Sequence, residues 1–283
     1  MFIISDLHFG DGSCRDNFAG REQQFFDFLD YVGTDELIIL GDLLEGWELD
    51  IGDVVSKNID KLDRLAVMNV VYVHGNHDSQ IGFLANAGQL FHPFFSKVSK
   101  PFTRKINDKL FYFCHGHEFD EANKSPYPGF GHILSILTAI YEDNLGSPKF
   151  KDGRYIESVL VKYGEKFMKY WNFFAHLLTP LPKLDQLYLD RFKSGTRAGQ
   201  NLIEMRKFLD VNRYDVMVAG HLHRLGFYDD WYANTGCWTA DSNDFVTITP
   251  SGSMVLSQWN DGPTDVGEKE VTLCSIRLAK SFV

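Results

Sequence analysis

The sequence predicts an α/β fold, an α+β sandwich in which β-sheets are flanked by helices and carry an inserted helical cap. Three observations predict it. Strand and helix patterns alternate through the first part of the chain, short strand patterns dominate from Tyr214 onward, and a helix-rich stretch separates the two regions. Alternation of the first kind is typical of parallel sheets with helical connections.

The N-terminal region alternates between short apolar runs and longer helical patterns. Runs of β-branched and aromatic residues predict a first strand that ends near Asp6 and further strands over 36–40 and 70–73. Apolar residues at helical spacing predict helices over 21–32 and 53–67. The order β-α-β-α-β therefore predicts parallel strands joined by right-handed crossovers.

The later strands are expected to form a second sheet. Residues 102–106 and 110–114 are two strand patterns separated by Asn107-Asp108, which predicts a hairpin turn. From Tyr214 onward, short strand patterns and turn residues follow one another closely. We expect these strands to build an antiparallel second sheet that packs against the first.

Residues 121–200 do not fit the sheet pattern. They contain helical patterns that are interrupted by Pro148, Pro180 and Pro182. We interpret this segment as a helical cap inserted into a single domain that spans residues 1–283.

Composition and charge limit the function classes. The chain has 283 residues, 44% of them hydrophobic and 23% charged, as in ordinary globular proteins. Its net charge of −10 argues against binding of nucleic acid or a membrane surface through bulk charge. No apolar run approaches the roughly 18 residues of a membrane-spanning helix, and no secretory leader pattern is visible. We therefore expect a cytoplasmic protein, and peripheral contact of the cap with the inner face of a membrane stays open.

Five short polar segments follow predicted strands. They are Asp6-Leu7-His8, Gly41-Asp42-Leu43-Leu44-Glu45, Gly75-Asn76-His77-Asp78, His115-Gly116-His117 and Gly220-His221-Leu222-His223. Open α/β sheets place their binding sites at the carboxyl ends of strands. Asp, His and Asn side chains without cysteine are suitable ligands for divalent metals. The pattern therefore predicts a metal centre at one sheet edge.

Seven side chains are the candidate metal ligands: Asp6, His8, Asp42, Asn76, His115, His221 and His223. Two divalent cations would outweigh the charges of Asp6 and Asp42, so the site would attract anions such as phosphate. A metal pair that shares a carboxylate and a water can activate that water and clamp both oxygens of an in-line displacement. We expect Asp42 to be the shared carboxylate.

The five segments resemble the calcineurin-like metallophosphoesterase superfamily. Its pattern is D-x-H, G-D-x-x-[D/E], G-N-H-[D/E], H and G-H-x-H, and this sequence matches it in order. The resemblance covers residues 1–120 and 205–260. It implies a four-layer fold with two mixed β-sheets flanked by helices, and a phosphoric ester or diphosphate hydrolase that uses a metal-activated hydroxide.

The resemblance also implies residue roles. One metal would be held by Asp6, His8, Asp42 and His223. The other would be held by Asp42, Asn76, His115 and His221. The cofactor would be two divalent metal ions, with Mn²⁺ expected first and Fe, Zn, Ni or Co as alternatives.

Two residues of the third segment are the expected catalytic pair. His77 would lie near the leaving group as proton donor or charge stabiliser, and Asp78 would orient its ring. Glu45 is expected to contact a neighbour of the metal ligands. His115 is preferred over His117 as a ligand because of its position in the motif, and His117 is a candidate for substrate binding.

Within the superfamily the chain is similar to the UDP-2,3-diacylglucosamine pyrophosphohydrolases and their unassigned relatives. The similarity lies in residues 41–47, in residues 115–120 and in the helical insertion that follows. His77 and His117 depart from that branch, which usually carries Arg and an acidic residue there. The cap either packs on the main domain or holds an acyl chain, and its candidate substrate contacts are Arg154, Arg191 and Arg197.

Three function classes stay open at this point. The first is a hydrolase of phosphorylated small molecules or lipid-linked phosphates. The second is a nuclease of the same superfamily, although the acidic chain gives no strong nucleic-acid signal. The third is a catalytically silent scaffold that binds proteins, which would be expected to lose ligands that this sequence retains. The sequence does not predict the oligomeric state.

Overall fold

The computed structural model describes residues 1–13, 15–86, 88, 92–120, 197–239 and 242–269. These residues form two β-sheets, one with seven strands and one with five. Helices cover the outer face of each sheet, so the described part of the protein has four layers. The predicted α/β fold with two mixed sheets flanked by helices is confirmed.

The seven-stranded sheet has the order β12-β11-β10-β1-β2-β3-β4. Its strands are β1 (Phe2–Ile4), β2 (Leu37–Leu40), β3 (Val70–Val73), β4 (Val98–Ser99), β10 (Asp244–Ile248), β11 (Met254–Trp259) and β12 (Pro263–Lys269). Strands β1 to β4 are parallel, as the β-α-β order predicts, and β10 joins β1 in antiparallel orientation.

The five-stranded sheet has the order β5-β6-β7-β9-β8. Its strands are β5 (Phe102–Ile106), β6 (Lys109–Cys114), β7 (Val216–Ala219), β8 (Gly226–Tyr228) and β9 (Tyr232–Asn234). The predicted hairpin is the antiparallel pair β5 and β6, with Asn107 at a positive φ of 54° in its turn.

The expectation of an antiparallel sheet made by the C-terminal strands is wrong. Strand β7 pairs in parallel with both β6 and β9, whereas β10, β11 and β12 extend the first sheet. The C-terminal strands are therefore divided between the two sheets. Both sheets are mixed as a result.

Five α-helices are described: α1 (Glu22–Val32), α2 (Ile51–Lys57), α3 (Ile59–Val67), α4 (Ser79–Asn86) and α5 (Arg197–Asn212). The single helix expected over 53–67 is two helices that meet at Asn58, whose φ is −112°. The Asn58 side-chain amide donates to the carbonyl oxygens of Val54 and Gly10. The break thus ties the helix pair to the loop after β1.

The core lies in three layers between these elements. Phe2, Ile4, Leu37 and Ile39 face α1 and α3, while Ile3 and Ile38, their neighbours along the strands, face the second sheet. Burial of each such side chain stabilises the fold by roughly 1.5–3 kcal/mol. This packing aligns the two sheets so that the carboxyl ends of β1, β2, β3, β6 and β7 meet at one edge.

The cap is outside the described residues except for its last positions. The helical patterns around Pro148, Pro180 and Pro182 lie outside the described residues, and α5 begins at Arg197. Within the described residues, every helix is too short or too polar to pass through a lipid bilayer.

Candidate metal centre

The seven predicted ligands follow the five strands whose carboxyl ends meet. The loops after β1 and β2 run side by side, because the amides of Asp6 and His8 donate to the carbonyl oxygens of Gly41 (3.0 Å) and Asp42 (2.9 Å). Across the sheets, the amide of His221 donates to Asp6 Oδ2 at 2.9 Å. These three hydrogen bonds therefore bring three of the five motifs to one point.

The backbone of this region is unusual. Five predicted ligands have positive φ angles between 50° and 69°: Asp6, His8, Asp42, His221 and His223. Only a few per cent of non-glycine residues adopt this conformation, with Asn, Asp and His enriched among them. Such strain persists where surrounding structure enforces it, and it clusters at functional sites.

Two glycines allow the motif loops to approach closely. A Cβ atom on Gly75 would collide with Asp42 Oδ1, and one on Gly220 would collide with Asp6 Oδ2. The glycine that precedes Asn76 and the one that precedes His221 therefore each make room for a carboxylate of another motif.

The first group of ligands, called the outer half-site here, consists of Asp6, His8 and His223. His223 Nε2 lies 3.1 Å from Asp6 Oδ1 and 3.3 Å from His8 Nε2. The Nδ1 atom of His8 donates to Glu45 Oε2 at 2.8 Å, so its Nε2 carries a free lone pair. Asp6 Oδ1 is buried and accepts no hydrogen bond from any described residue. Two ring nitrogens and an orphaned carboxylate oxygen at these distances fit one cation.

The second group, called the inner half-site here, consists of Asn76, His115 and His221. His115 Nδ1 donates to the carbonyl oxygen of Leu40 at 2.7 Å, which leaves Nε2 as the free nitrogen. That Nε2 lies 3.0 Å from Asn76 Oδ1. One ring nitrogen of His221 lies within 4.8 Å of the ligand atoms of His115 and Asp42.

Asp42 lies between the two groups. Its Oδ2 is 3.2 Å from His115 Nε2 in the inner half-site and 3.9 Å from His8 Nε2 in the outer one. Its Oδ1 accepts the backbone N–H of His77 at 2.9 Å. Asp42 therefore lies close to ligands of both half-sites.

Both buried carboxylates remain ionised. Burial raises the pKa of Asp6, but the charges of His223 and His115 outweigh burial and hold that pKa at about 2. The pKa of Asp42 is likewise well below its usual range, because His115 and His77 outweigh its burial. Burial lowers the pKa of His115, but Asp42 and Asp6 raise it to about 10. The site thus holds anionic oxygens that positive charge must balance, which fits a cation centre.

His77 is oriented by Glu45. Its Nδ1 lies 2.8 Å from Glu45 Oε2, the oxygen that also accepts from His8 Nδ1. Burial lowers the pKa of His77, but Asp42 and Glu45 raise it to about 9. The expectation that Glu45 contacts a neighbour of the metal ligands is met by these two hydrogen bonds.

The expectation that Asp78 orients the His77 ring is contradicted. Asp78 accepts from the amides of Gly75 (2.6 Å) and Leu43 (2.8 Å) and from the hydroxyl of Tyr72. Its carboxylate therefore holds the turns of two motifs together from beneath. Burial raises its pKa, as does the charge of Asp42.

Of the four predicted substrate contacts, the structure describes the side chain of His117. The ring of His117 lies 5.3 Å from that of His115, next to the inner half-site, and burial lowers its pKa to about 4. His117 is therefore neutral at pH 7 and offers hydrogen bonds without charge. Arg154 and Arg191 lie outside the described residues, as does the side chain of Arg197.

Two residues of the site were not identified from the sequence. Asp120 Oδ2 accepts from His221 Nε2 at 2.9 Å, and this hydrogen bond orients the His221 ring. Trp47 stacks on His77 with 4.2 Å between ring centroids. Both residues lie in the segments that carry the resemblance, residues 41–47 and 115–120, and that position is the signal that could have identified them.

The donor set fits two divalent cations. In His8, His115 and His221, one ring nitrogen donates to an oxygen that orients the ring, an arrangement that metal-ligating histidines share. With Asp42 between them, the two half-sites together offer the nitrogen and oxygen atoms that borderline divalent metals prefer.

Similarity to solved structures is low. Vacuolar protein sorting 29 from Cryptosporidium parvum is 13% identical with a TM-score of 0.42, covering 95% of this chain and 97% of that chain. A cold-active protein-tyrosine phosphatase of a psychrophilic Shewanella is 12% identical with a TM-score of 0.40, covering 94% and 80%. A predicted phosphoesterase from Streptococcus pneumoniae TIGR4 is 10% identical with a TM-score of 0.35, covering 95% and 96%. Likeness at this level carries no argument about function.

Comparison of the sequence with protein-family models identifies the family of this chain. No curated protein matches the chain. The family model described as calcineurin-like phosphoesterase matches residues 1–225, a span that contains all five motifs and both half-sites. The chain belongs to the calcineurin-like phosphoesterase family.

Proposed function

We propose that this protein is a dinuclear metal-dependent hydrolase that cleaves a phosphate ester or diphosphate bond. One observation carries the proposal: all seven predicted ligands meet at one edge, in two groups joined by Asp42. Metals bound there would lower the pKa of an attacking water and neutralise charge on the phosphate oxygens. Mn²⁺ is the proposed ion, with Fe, Zn, Ni and Co as alternatives.

Charge supports an anionic substrate. The two half-sites and Asp42 contribute two carboxylates, while their other ligands are neutral imidazoles and one amide when metal is bound. Two divalent ions therefore leave the centre positively charged, although the whole chain carries −10. A local positive centre within an acidic protein favours a small or tethered phosphate over a long polyanion.

His77 is the proposed proton donor. Its Nδ1 is held by Glu45, and among the described residues its Nε2 has no hydrogen-bond partner. The ring is largely buried, and its raised pKa keeps it protonated at neutral pH. A positioned imidazolium of this kind typically contributes about 10²–10⁴-fold to a rate by protonating the leaving oxygen.

The proposed substrate class is a phosphorylated small molecule or a lipid-linked phosphate or diphosphate. The resemblance of residues 41–47 and 115–120 to the UDP-2,3-diacylglucosamine pyrophosphohydrolases supports the lipid-linked form. Histidine at positions 77 and 117, where that branch usually has Arg and an acid, argues for a different head group. The test therefore includes both kinds of substrate.

The experiment measures Mn²⁺-dependent hydrolysis and metal content on the same sample. The substrates are p-nitrophenyl phosphate, bis-p-nitrophenyl phosphate and UDP-2,3-diacylglucosamine. The variants are Asp42→Asn and its matched control Asp261→Asn, because Asp261 also has a positive φ (56°) but is exposed outside the site.

We expect close to two metals per chain and metal-dependent release of product, both lost in Asp42→Asn and retained in Asp261→Asn. Fast release of UMP from the lipid substrate would identify the lipid-linked form. Faster cleavage of the nitrophenyl esters would identify a different phosphate ester. A metal-free wild-type protein without activity on any of the three would overturn the proposal in favour of a silent scaffold.

A further inference from the structure

The side chain of Trp47 lies flat on the proposed proton donor. The indole and the His77 imidazole have centroids 4.2 Å apart and planes inclined by 25°. Aromatic rings stacked this closely attract one another and restrict each other's tilt. Trp47 lies outside the five motifs, and the role inferred for it rests on the proposed function.

A tight turn places the indole there. The Glu45 carboxylate oxygen Oε1 accepts the backbone N–H groups of Trp47 (2.9 Å) and Glu48 (3.1 Å). The Gly46 amide donates to the carbonyl oxygen of His77 at 3.2 Å. A Cβ atom on Gly46 would lie 2.7 Å from that same oxygen, so only glycine lets the turn approach this closely.

The His77 ring is consequently held from three directions. Glu45 lies in the ring plane at Nδ1, and His8 meets the ring in a T-shaped contact with centroids 4.6 Å apart. Trp47 covers a face. The in-plane bond alone would permit tilting about the Nδ1 atom. The two ring contacts oppose that tilt, so together they fix where Nε2 points.

We propose that Trp47 is a positioning residue for the leaving-group step, whose indole face fixes the His77 ring so that Nε2 meets the leaving oxygen. In that step the oxygen of a water forms a new bond to phosphorus as the bond to the leaving oxygen breaks. The leaving oxygen keeps the electron pair and takes the proton from Nε2. The proton lost by the attacking water returns the ring to its charged form.

The alternative role for an indole at this place is a platform on which part of the substrate stacks. The two roles affect different constants. A platform contributes to binding, so its removal raises KM for every substrate that carries the stacked group. A positioning residue lowers kcat, and it does so most for substrates whose leaving groups need a proton.

The experiment compares Trp47→Leu, Trp47→Phe and His77→Asn on phenyl phosphates that range from p-nitrophenyl phosphate to unsubstituted phenyl phosphate. Trp231→Phe is the control, because Trp231 is buried in the core beside α5 and away from the metal centre. Metal content is measured on each protein. The double variant Trp47→Leu with His77→Asn completes a cycle.

We expect Trp47→Leu to lower kcat roughly two- to tenfold on phenyl phosphate, the range of one aromatic ring pair. The loss should be smaller on p-nitrophenyl phosphate, and Trp47→Phe should recover most of it. His77→Asn should show the same leaving-group dependence with a larger amplitude. Adding Trp47→Leu to His77→Asn should then change kcat little, because residues that act through one another are not additive.

Three results would overturn the inference. An equal loss from Trp47→Leu on every ester would exclude a leaving-group role, as would full additivity in the double variant. A change confined to KM would assign Trp47 to substrate binding. These results differ from failure of the proposed function, in which His77→Asn itself would lack any leaving-group dependence and would remove the basis for the inference as well.

Discussion

The two half-sites of the metal centre differ in how the protein holds their ligands. In the outer half-site, all three ligands have positive φ angles, and the His223 side chain is 39% exposed. In the inner half-site, the His115 side chain is fully buried and its Nδ1 donates to the Leu40 carbonyl oxygen. The half-sites thus differ most at these two residues: His223 lies near solvent, whereas burial and a hydrogen bond hold His115 in place.

This difference predicts unequal metal binding. A ligand that is buried and oriented by a second hydrogen bond loses little freedom on coordination. A ligand near solvent can exchange its metal for water more easily. We expect the inner half-site to bind its ion more tightly and the outer one to be the site from which metal is lost first.

The largest effect should come from Asp42→Ala, because Asp42 contacts both half-sites. We expect loss of both ions and a fall in kcat/KM on the order of 10³-fold or more. Elemental analysis of the purified variant, together with hydrolysis of the best substrate, measures this. One tightly bound ion in the variant would disprove that the carboxylate is shared.

The second effect should separate the half-sites directly. His115→Ala removes the buried inner ligand and leaves the Leu40 carbonyl oxygen without its donor, so it should also destabilise the metal-free fold by about 1–3 kcal/mol. His223→Ala should weaken one ion and cost less stability, since its side chain is partly exposed.

Metal titration and urea unfolding of the two variants give the comparison. High Mn²⁺ should restore part of the activity of His223→Ala and little of that of His115→Ala. Equal rescue of both variants would show that the half-sites do not differ in the way proposed.

The third effect should be confined to the inner half-site. Asp120→Asn removes the carboxylate that accepts from His221 Nε2. Loss of such a supporting group commonly weakens metal affinity about 10- to 100-fold. Competition with a chromogenic chelator should show one weakened ion and one unchanged ion. A uniform decrease of both affinities would indicate a general disturbance of the fold.

The smallest effect on catalysis should come from Tyr72→Phe. The Tyr72 hydroxyl donates to Asp78, which lies beneath the site and holds two turns. Its removal leaves a buried acceptor short of a donor and should cost about 1–3 kcal/mol of unfolding free energy. We expect a lower urea midpoint with kcat within about twofold of wild type. A large loss of kcat with an unchanged free energy of unfolding would contradict this prediction and indicate a catalytic role for Asp78.

The positions of the ligands could be predicted from the sequence because strand ends are visible in it. Apolar runs end at Ile4, Leu40 and Val73, and parallel strands bring their carboxyl ends to one edge. A short polar segment follows each of these strands. The sequence therefore predicts that the polar side chains meet at one edge, although it gives no distances between them.

The partners of individual side chains could not be predicted in this way. Asp78 follows His77 directly, yet the tight loop turns its carboxylate toward Gly75 and Tyr72, and Glu45 reaches the ring from another strand. Which acid meets His77 is decided by loop geometry that sequence spacing does not encode. The same holds for Asp120, which pairs with a residue 101 positions away.

The division of the C-terminal strands also required the structure. Local patterns identify β10, β11 and β12 as strands, but their pairing depends on which sheet edge is free. Strand β10 pairs with β1, whose own sequence gives no sign of a second neighbour on that side.

The Glu45 carboxylate joins two histidines with different tasks, since its Oε2 accepts from both His8 and His77. Metal binding at His8 and the orientation of the His77 ring are therefore coupled through Glu45. Linkage between two binding events is reciprocal. If an ion on His8 raises the affinity of the site for phosphate by some factor, bound phosphate must raise the affinity for that ion by the same factor. Release of the phosphate product would then lower the affinity for the ion of the outer half-site. Exchange of that ion would therefore become faster during turnover.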